Sequence, residues 1–210
     1  TAVNGLVRPG DALVTTAASH NSVLRPLYRA VDERGCSLTV VPHDARGALD
    51  YDAFDAALEP SVRLAVVTHA SNLTGDVYDI ARIARICRER GALLLVDAAQ
   101  TAGVVPIDMG RDGLDLVAFT GHKSLYGPQG TGGLVVAEGV DVEPLKVGGS
   151  GTHSYNRRHP ARMPERLEAG TLNAHGIAGL GAGLAYIEER GVEEIGARVR
   201  ALAERFERGV

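Results

Sequence analysis

The stretch LDLVAFTGHKSLYGPQGTGGLVVA, residues 114–137, places a glycine-rich loop between two short apolar runs. These runs, at 114–120 and 133–137, have the length and the apolar content of buried strands. The glycines and Pro128 leave no room between them for the crossover helix that a parallel connection requires. We therefore predict two antiparallel strands joined by a loop, and this loop carries one lysine, Lys123, between a histidine and a serine.

Other apolar runs precede this pair, and helical patterns lie between them. The runs occupy residues 12–17, 37–41, 64–69 and 92–97. Several lack polar alternation, as expected of strands that are buried on both faces. Helical spacing is found at 79–90, and two further helices are predicted at about 176–189 and about 192–208, divided at Gly191. The chain is therefore predicted to be an α/β protein with a mixed, mostly parallel sheet.

The composition is that of a globular protein: 210 residues, 45% hydrophobic and 23% charged, with a formal net charge of -4. No apolar run approaches the ~20 residues of a membrane span, and the first residues lack the pattern of a secretory signal, which favours the cytoplasm and no membrane partner. Mild acidity and few aromatic residues argue against nucleic acid binding. Cys36 and Cys87 form no Cys-x-x-Cys pair and are predicted to be reduced core residues.

The histidines do not have the spacing of a metal site. Apart from His20 and His122, the histidines are His43, His69, His153, His159 and His175. Since none belongs to a pair such as His-Glu-x-x-His, no metal is predicted. The basic stretch NRRHPAR, residues 156–162, is interpreted as a solvated loop, with a phosphate or partner patch as the alternative.

Asp97 ends the buried run LLLVD and Gln100 follows it, at the carboxyl end of a strand, where open α/β sheets bind ligands. An acid at this place could also cap a helix or hold magnesium in a nucleotide site. The nucleotide alternative needs a Gly-x-x-x-x-Gly-Lys loop, but Lys123 is preceded by His122 instead of glycine. Taken alone, Asp97 and Lys123 would each be structural.

Together, Asp97 and Lys123 indicate a different chemistry. A lysine can form a Schiff base with a carbonyl group, and a buried aspartate can keep the pyridinium nitrogen of such a cofactor protonated. The pair is typical of a pyridoxal 5'-phosphate (PLP) site. Thr120, His122 and the glycine-rich backbone could donate hydrogen bonds to the cofactor's phosphate.

These residues belong to a series of motifs that resembles the large domain of fold type I, class V aminotransferase-like enzymes, in the branch of the cysteine desulfurases and selenocysteine lyases. The motifs occur in order over nearly the whole chain: SHNSVLRP (19–26), THASNLTG (68–75), VDAAQ (96–100), TGHK (120–123), GGSGT (148–152) and RLEAGTLN (166–173). The resemblance implies a three-layer PLP-binding large domain over residues 1–210. It also implies truncation at both ends, with helices at 176–210 leading towards a small domain that is absent from this chain.

The resemblance assigns the catalytic roles to Lys123, Asp97 and His20. Lys123 would form the Schiff base with PLP and then act as the base. Asp97 would pair with the pyridinium nitrogen, and His20 would stack on the ring. Without the other motifs, His20 would be interpreted as a residue at a helix start, beside Ser19 as a natural N-cap.

The resemblance also implies further cofactor contacts and a dimer. Asn72 and Gln100 would address the cofactor's phenolic oxygen and the substrate, and Thr120 and His122 would bind its phosphate. Thr152, or alternatively Ser150, would reach the phosphate in the partner subunit, which makes the expected assembly a homodimer with shared active sites.

The implied reaction releases sulfur or selenium from cysteine or selenocysteine and leaves alanine, with a sulfur-acceptor protein as an expected partner. A class V aminotransferase or another β-lyase is the alternative enzyme, and an inactive α/β binding domain is the alternative outside enzymes. The persulfide-forming cysteine and the arginine for the substrate carboxylate are expected beyond Val210. GHKSLYGP is one residue longer than the GHKLYGP form of many desulfurases, which indicates a divergent subgroup.

Overall fold

The computed structural model describes residues 1–44, 46–152 and 155–209, which are arranged around a six-stranded sheet. The strands are β1 (Ala12–Thr16), β2 (Ser37–Val41), β3 (Val62–Thr68), β4 (Leu93–Asp97), β5 (Leu116–Thr120) and β6 (Gly132–Val136). Their order is β2-β1-β3-β4-β5-β6. Neighbouring strands from β2 to β5 are parallel, and β6 pairs antiparallel with β5. The predicted mixed sheet and its antiparallel last pair are confirmed.

Helices cover both faces of this sheet. They are α1 (Ala2–Leu6), α2 (Asn21–Arg34), α3 (Tyr51–Ala57), α4 (Ile80–Arg90), α5 (Met109–Asp112), α6 (Ala174–Arg190) and α7 (Val192–Gly209), and a 3₁₀ turn lies at Glu165–Leu167. The helix predicted at 79–90 is α4, and Asp79 caps it by accepting a hydrogen bond from the Arg82 N–H at 2.9 Å. The two predicted C-terminal helices are α6 and α7, and Gly191 separates them as expected.

The sheet is buried on both faces because successive residues of its central strands alternate between two cores. In β3, Leu64 and Val66 belong to one core and Ala65 and Val67 to the other. The first core is completed by residues of α1 and α2, such as Leu6 and Leu27. The second is completed by residues of α3 and α4, such as Phe54 and Ile83. The predicted three-layer arrangement follows from this alternation.

The β5–β6 hairpin depends on two glycines at the start of β6. Phe119 lies opposite Gly133 in the register, and a Cβ atom on Gly133 would lie 2.8 Å from Cε1 of the Phe119 ring. A Cβ atom on Gly132 would lie 2.7 Å from the Phe119 carbonyl oxygen. Since side chains at these positions would push the strands apart, the glycines permit the chain to return beside β5.

A third, smaller core joins the hairpin loop to the C-terminal helices. Leu125 of the loop packs with Leu180 and Ile187 of α6 and with Ile195 of α7. The loop that carries Lys123 is therefore attached to α6 as well as to the sheet.

Both cysteines are free and buried, which confirms the prediction that they are core residues. Burial raises the pKa of the Cys87 thiol to about 12, and the charge of Asp115 adds to this shift. Cys87 is therefore a protonated, unreactive thiol near neutral pH. None of the described helices is long and apolar enough to cross a membrane.

His69, directly after β3, is 3% exposed, and its Nδ1 atom has no hydrogen-bond partner within the described residues. Burial lowers the pKa of this ring to about 4, and the charge of Asp112 opposes part of the shift. Because the pKa in the unfolded chain is about 6.5, protons bind the unfolded state more readily. The contribution of the neutral ring to stability is therefore complete above that pH and is lost as the pH falls towards 4.

We predict that lowering the pH from about 7.5 to about 5 removes about 2 kcal/mol from the free energy of unfolding through His69 alone. His69→Phe retains a flat, apolar ring and does not titrate, so its stability should fall less over the same interval. Urea denaturation of this chain and of the variant at both pH values measures the difference. Parallel losses in the two proteins would contradict the assignment to His69.

Candidate functional site

The carboxyl ends of β3, β4 and β5 meet the N-terminus of α2 around a cavity of about 390 Å³. This volume lies within the ~300–1,000 Å³ typical of small-molecule sites. The lining residues are His20, Ser22, Thr68, Ala70, Asn72, Asp97, Ala99, Gln100, Thr120, His122 and Lys123. The structure thus brings the predicted site residues together, except Thr152, at the sheet edge where open α/β folds bind ligands.

Asp97 is the last residue of β4 and lies between Thr68 of β3 and Ala118 of β5 in the sheet register. Its Oδ1 atom accepts a hydrogen bond from the Ala99 backbone N–H at 3.0 Å. Within the described residues, no hydrogen bond reaches its Oδ2 atom. One oxygen of this half-buried carboxylate is therefore anchored, and the other is free to accept a hydrogen bond from a ligand.

Lys123 lies at the start of the hairpin loop. The loop is closed at its base by two backbone hydrogen bonds, from the Gly121 N–H to the Thr131 carbonyl at 2.9 Å and from the Gly127 N–H to the Gly121 carbonyl at 2.8 Å. The Tyr126 N–H donates to the Lys123 carbonyl at 3.1 Å, which forms a turn. The Lys123 side chain is exposed and forms no ion pair with the residues described. The cavity is therefore lined by a lysine that forms no ion pair within the described residues, and by the carboxylate of Asp97.

His20 is the N-cap of α2. Its Nδ1 atom accepts a hydrogen bond from the Ser22 N–H at 3.1 Å and lies 2.9 Å from the Ser22 hydroxyl. Since Nδ1 accepts from a backbone N–H, the proton of the neutral ring is on Nε2. Ser19, which the alternative interpretation placed at the N-cap, does not cap this helix, because it is buried and its hydroxyl lies 2.9 Å from Thr15 Oγ1.

Thr120 and His122 form a pair at the end of β5, with 2.7 Å between Thr120 Oγ1 and His122 Nδ1. Asn72 is exposed in the turn after β3, and Gln100 is half-buried in the turn after β4. The Ser71 hydroxyl stabilises the first of these turns by accepting two backbone N–H groups at 3.2 Å each. Two turns and a strand end thus present polar side chains to one cavity.

Thr152 does not line this cavity. It is exposed in the loop after β6, where the Ser150 hydroxyl donates to the Thr152 carbonyl at 2.9 Å, and it borders two other cavities beside the basic stretch 156–162. The role predicted for Thr152 belongs to the partner subunit's site and stays a prediction. No cluster of metal-binding side chains is found among the described residues, and His153 lies outside them.

Ser22 and Thr68 line the cavity although the sequence analysis did not identify them. Ser22 lies in the motif that contains His20, and Thr68 begins the motif that contains Asn72. Their places in these motifs were the only sequence signal that they could belong to the site. A neighbouring cavity of about 270 Å³ is lined by Asp97, Thr120 and residues 1–4. The space beside Asp97 therefore extends to the first residues of the chain, at α1.

The Aminotransferase class-V family model matches residues 1–210. The chain belongs to this family. A probable cysteine desulfurase from Methanothermobacter thermautotrophicus is 39% identical over 192 residues, which is 90% of this chain and 48% of that protein. The apo structure of cysteine desulfurase from Thermococcus onnurineus NA1 is similar with a TM-score of 0.88 and 32% identity, over 99% of this chain and 53% of the other.

A third similarity is to a cystine C-S lyase solved in complex with its reaction product, cysteine persulfide. The TM-score is 0.81 at 28% identity, over 90% of this chain and 53% of that structure. The chain thus spans about half the length of the relatives it matches. Enzymes of this family use PLP.

We predict that His20→Ala lowers the free energy of unfolding by about 1 kcal/mol relative to His20→Ser, because serine restores a side-chain acceptor for the Ser22 N–H. Urea denaturation of both variants measures the difference. Equal stabilities of the two variants would show that a side-chain acceptor at residue 20 contributes nothing to the stability of α2, contrary to the capping geometry.

Proposed function

We propose that residues 1–210 form the cofactor-binding large domain of a PLP-dependent enzyme that releases sulfur from cysteine, or selenium from selenocysteine, and leaves alanine. The observation that carries this proposal is that Lys123, after β5, and Asp97, at the end of the adjacent β4, line one cavity. Membership of the Aminotransferase class-V family and the similarity to cysteine desulfurases support it.

The side chains around this cavity fit PLP. The unpaired amine of Lys123 suits the cofactor's aldehyde, and the free oxygen of Asp97 suits a protonated ring nitrogen. The hydroxyl of Thr120 and the imidazole of His122 offer hydrogen bonds to a phosphate. Asn72 and Gln100 are assigned to the phenolic oxygen and the substrate, and His20 to the face of the ring.

Once bound, PLP withdraws electrons from the α-carbon of an amino acid. The side chains of this chain supply the proton transfers and the fixed charge that this chemistry needs. Lys123 Nζ removes the proton from the α-carbon of the substrate. The carboxylate of Asp97 would hold a proton on the ring nitrogen. His20 Nδ1 is held by Ser22, so its ring has a fixed orientation beside the cavity.

The proposed enzyme is a homodimer that acts together with a partner protein. Thr152, exposed after β6, is assigned to the phosphate site of a partner subunit in a homodimer with shared active sites. A sulfur-acceptor protein is the proposed partner for the product, and the cytoplasm is the proposed location.

A β-lyase is the second candidate, and the observation that favours it is the similarity to the cystine C-S lyase. Both reactions begin with removal of the α-proton by the same residues. They differ in the fate of the carbon skeleton, since desulfuration leaves alanine whereas β-elimination leaves pyruvate and ammonia. The products therefore distinguish the two candidates.

We predict that Asp97→Asn in the full-length protein lowers the turnover of cysteine on the order of 10²-fold while most of the bound PLP is retained, because the amide carries no charge to hold the ring proton. The matched control is Asp115→Asn. Asp115 Oδ2 accepts from the Leu94 N–H at 2.8 Å at the opposite edge of the sheet, so this change should cost stability and spare turnover. Alanine and sulfide release, with PLP content from absorbance, are the measurements.

The same assay tests the proposed function itself. Pyruvate in place of alanine would favour the β-lyase. A wild-type protein that binds no PLP and leaves cysteine intact would favour an inactive binding domain. Unchanged turnover in Asp97→Asn would remove Asp97 from the mechanism.

A further inference from the structure

The backbone next to Lys123 is held between two glycines from different parts of the chain. On one side lies Gly103, in the turn after β4, where a Cβ atom would collide with the Ser124 carbonyl oxygen. On the other side lies Gly183 of α6, where a Cβ atom would collide with the Leu125 carbonyl oxygen and lie 3.1 Å from the Tyr126 carbonyl carbon. Both contacts are backbone to backbone, so neither can be relieved by rotating a side chain.

Tyr126, three residues after Lys123, adopts a left-handed backbone conformation with φ 56. It is the only non-glycine residue with positive φ in the described part of the chain. A tyrosine disfavours this conformation, which persists only where the surroundings impose it. At Tyr126 this contact is made by α6. The Tyr126 ring packs edge-on against Tyr186 of that helix, with 5.4 Å between ring centroids and an interplanar angle of 86°.

The contacts with α6 continue on both sides of Tyr126. Leu125 is buried against Leu180 and Ile187 of this helix. A Cβ atom on Gly127 would lie 2.8 Å from Cδ1 of Leu180. Residues 125–127 therefore lie directly on the surface of α6, and Lys123, just before them, lines the cavity.

We propose that α6 positions Lys123: Gly183 and Tyr186 fix the backbone at Leu125 and Tyr126 and thereby set the place from which the lysine amine reaches the substrate. This inference rests on the proposed function of Lys123 as the base. The side chain of lysine is long and flexible, so its accuracy depends on a fixed Cα position. Gly183 and Tyr186 are positioning residues, since neither lines the cavity.

The expected loss of rate on substitution of Gly183 follows from the contacts around this residue. A Cβ atom at this residue requires the Leu125 carbonyl to move by about 1 Å to reach ordinary contact, because the surrounding core is close-packed. A misplacement of about 1 Å at a catalytic group can cost ~10²-fold in rate. The loss should fall mainly on kcat, because removal of the α-proton depends directly on the position of the lysine amine.

The test uses the full-length protein carrying Gly183→Ala, with Gly181→Ala as the matched control. Both glycines lie within α6, and alanine at either should favour the helix by its propensity. A Cβ atom on Gly181 has no neighbour within 4 Å, so this control should retain wild-type kcat. Gly183→Ala should lower kcat by ~10²-fold. It should also shift the pH midpoint of the visible absorbance of the bound cofactor by about half a unit or more, because that midpoint would report on the Schiff-base nitrogen that Lys123 contributes.

A second variant, Tyr186→Leu, keeps the test decisive if Gly183→Ala fails to fold. Tyr186 is 45% exposed, so leucine is tolerated there while the edge contact with Tyr126 is lost. We expect a loss of about 10-fold in kcat and a shift of the absorbance midpoint in the same direction.

Wild-type kcat and an unshifted midpoint in the variants that fold, with changes in thermal stability alone, would overturn the positioning role and leave the proposed function intact. A colourless wild-type protein without a cofactor at Lys123 would overturn both. The two failures are therefore distinguishable in one set of measurements.

Discussion

The antiparallel hairpin of β5 and β6 is the constraint on which the site depends. Parallel strands carry Asp97 and Thr120 to one edge of the sheet, and a parallel connection would take the chain away from that edge through a crossover. Because β6 returns directly beside β5, the loop stays at the edge and Lys123 lines the same cavity as Asp97. Gly132 and Gly133 make this return sterically permissible against Phe119.

The loop contains a strained backbone conformation, and burial of a neighbouring side chain in the third core compensates for the strain. A tyrosine in the left-handed region, as at Tyr126, costs about 1–3 kcal/mol. Burial of Leu125 in the third core offsets a cost of this size. The C-terminal helices α6 and α7 complete that core, so they hold the loop in place. The sheet places the loop at the carboxyl ends of the parallel strands, and the contacts with α6 determine the backbone path of the loop there.

Features with a local origin were predictable from the sequence. Strand positions followed from short apolar runs, the hairpin from glycine and Pro128 between two such runs, and the shared edge of Asp97 and Lys123 from their place after strands. Features that arise from tertiary contact were not predictable. The cap of α2 is formed by His20 because Ser19 is held by Thr15, and no local pattern distinguishes these two residues. The contact of Gly183 with Leu125 joins residues far apart in the sequence.

Lys123 is the residue proposed to hold the cofactor, and this assignment can be tested directly. Borohydride reduction of the PLP-loaded, full-length protein, followed by proteolysis and mass spectrometry of the peptides, locates the lysine to which the cofactor is bound. We predict a phosphopyridoxyl group on Lys123, with Lys146, the other lysine of the 210-residue sequence, unmodified. A phosphopyridoxyl group on Lys146 or on a lysine outside this sequence, with Lys123 unmodified, would contradict the central claim.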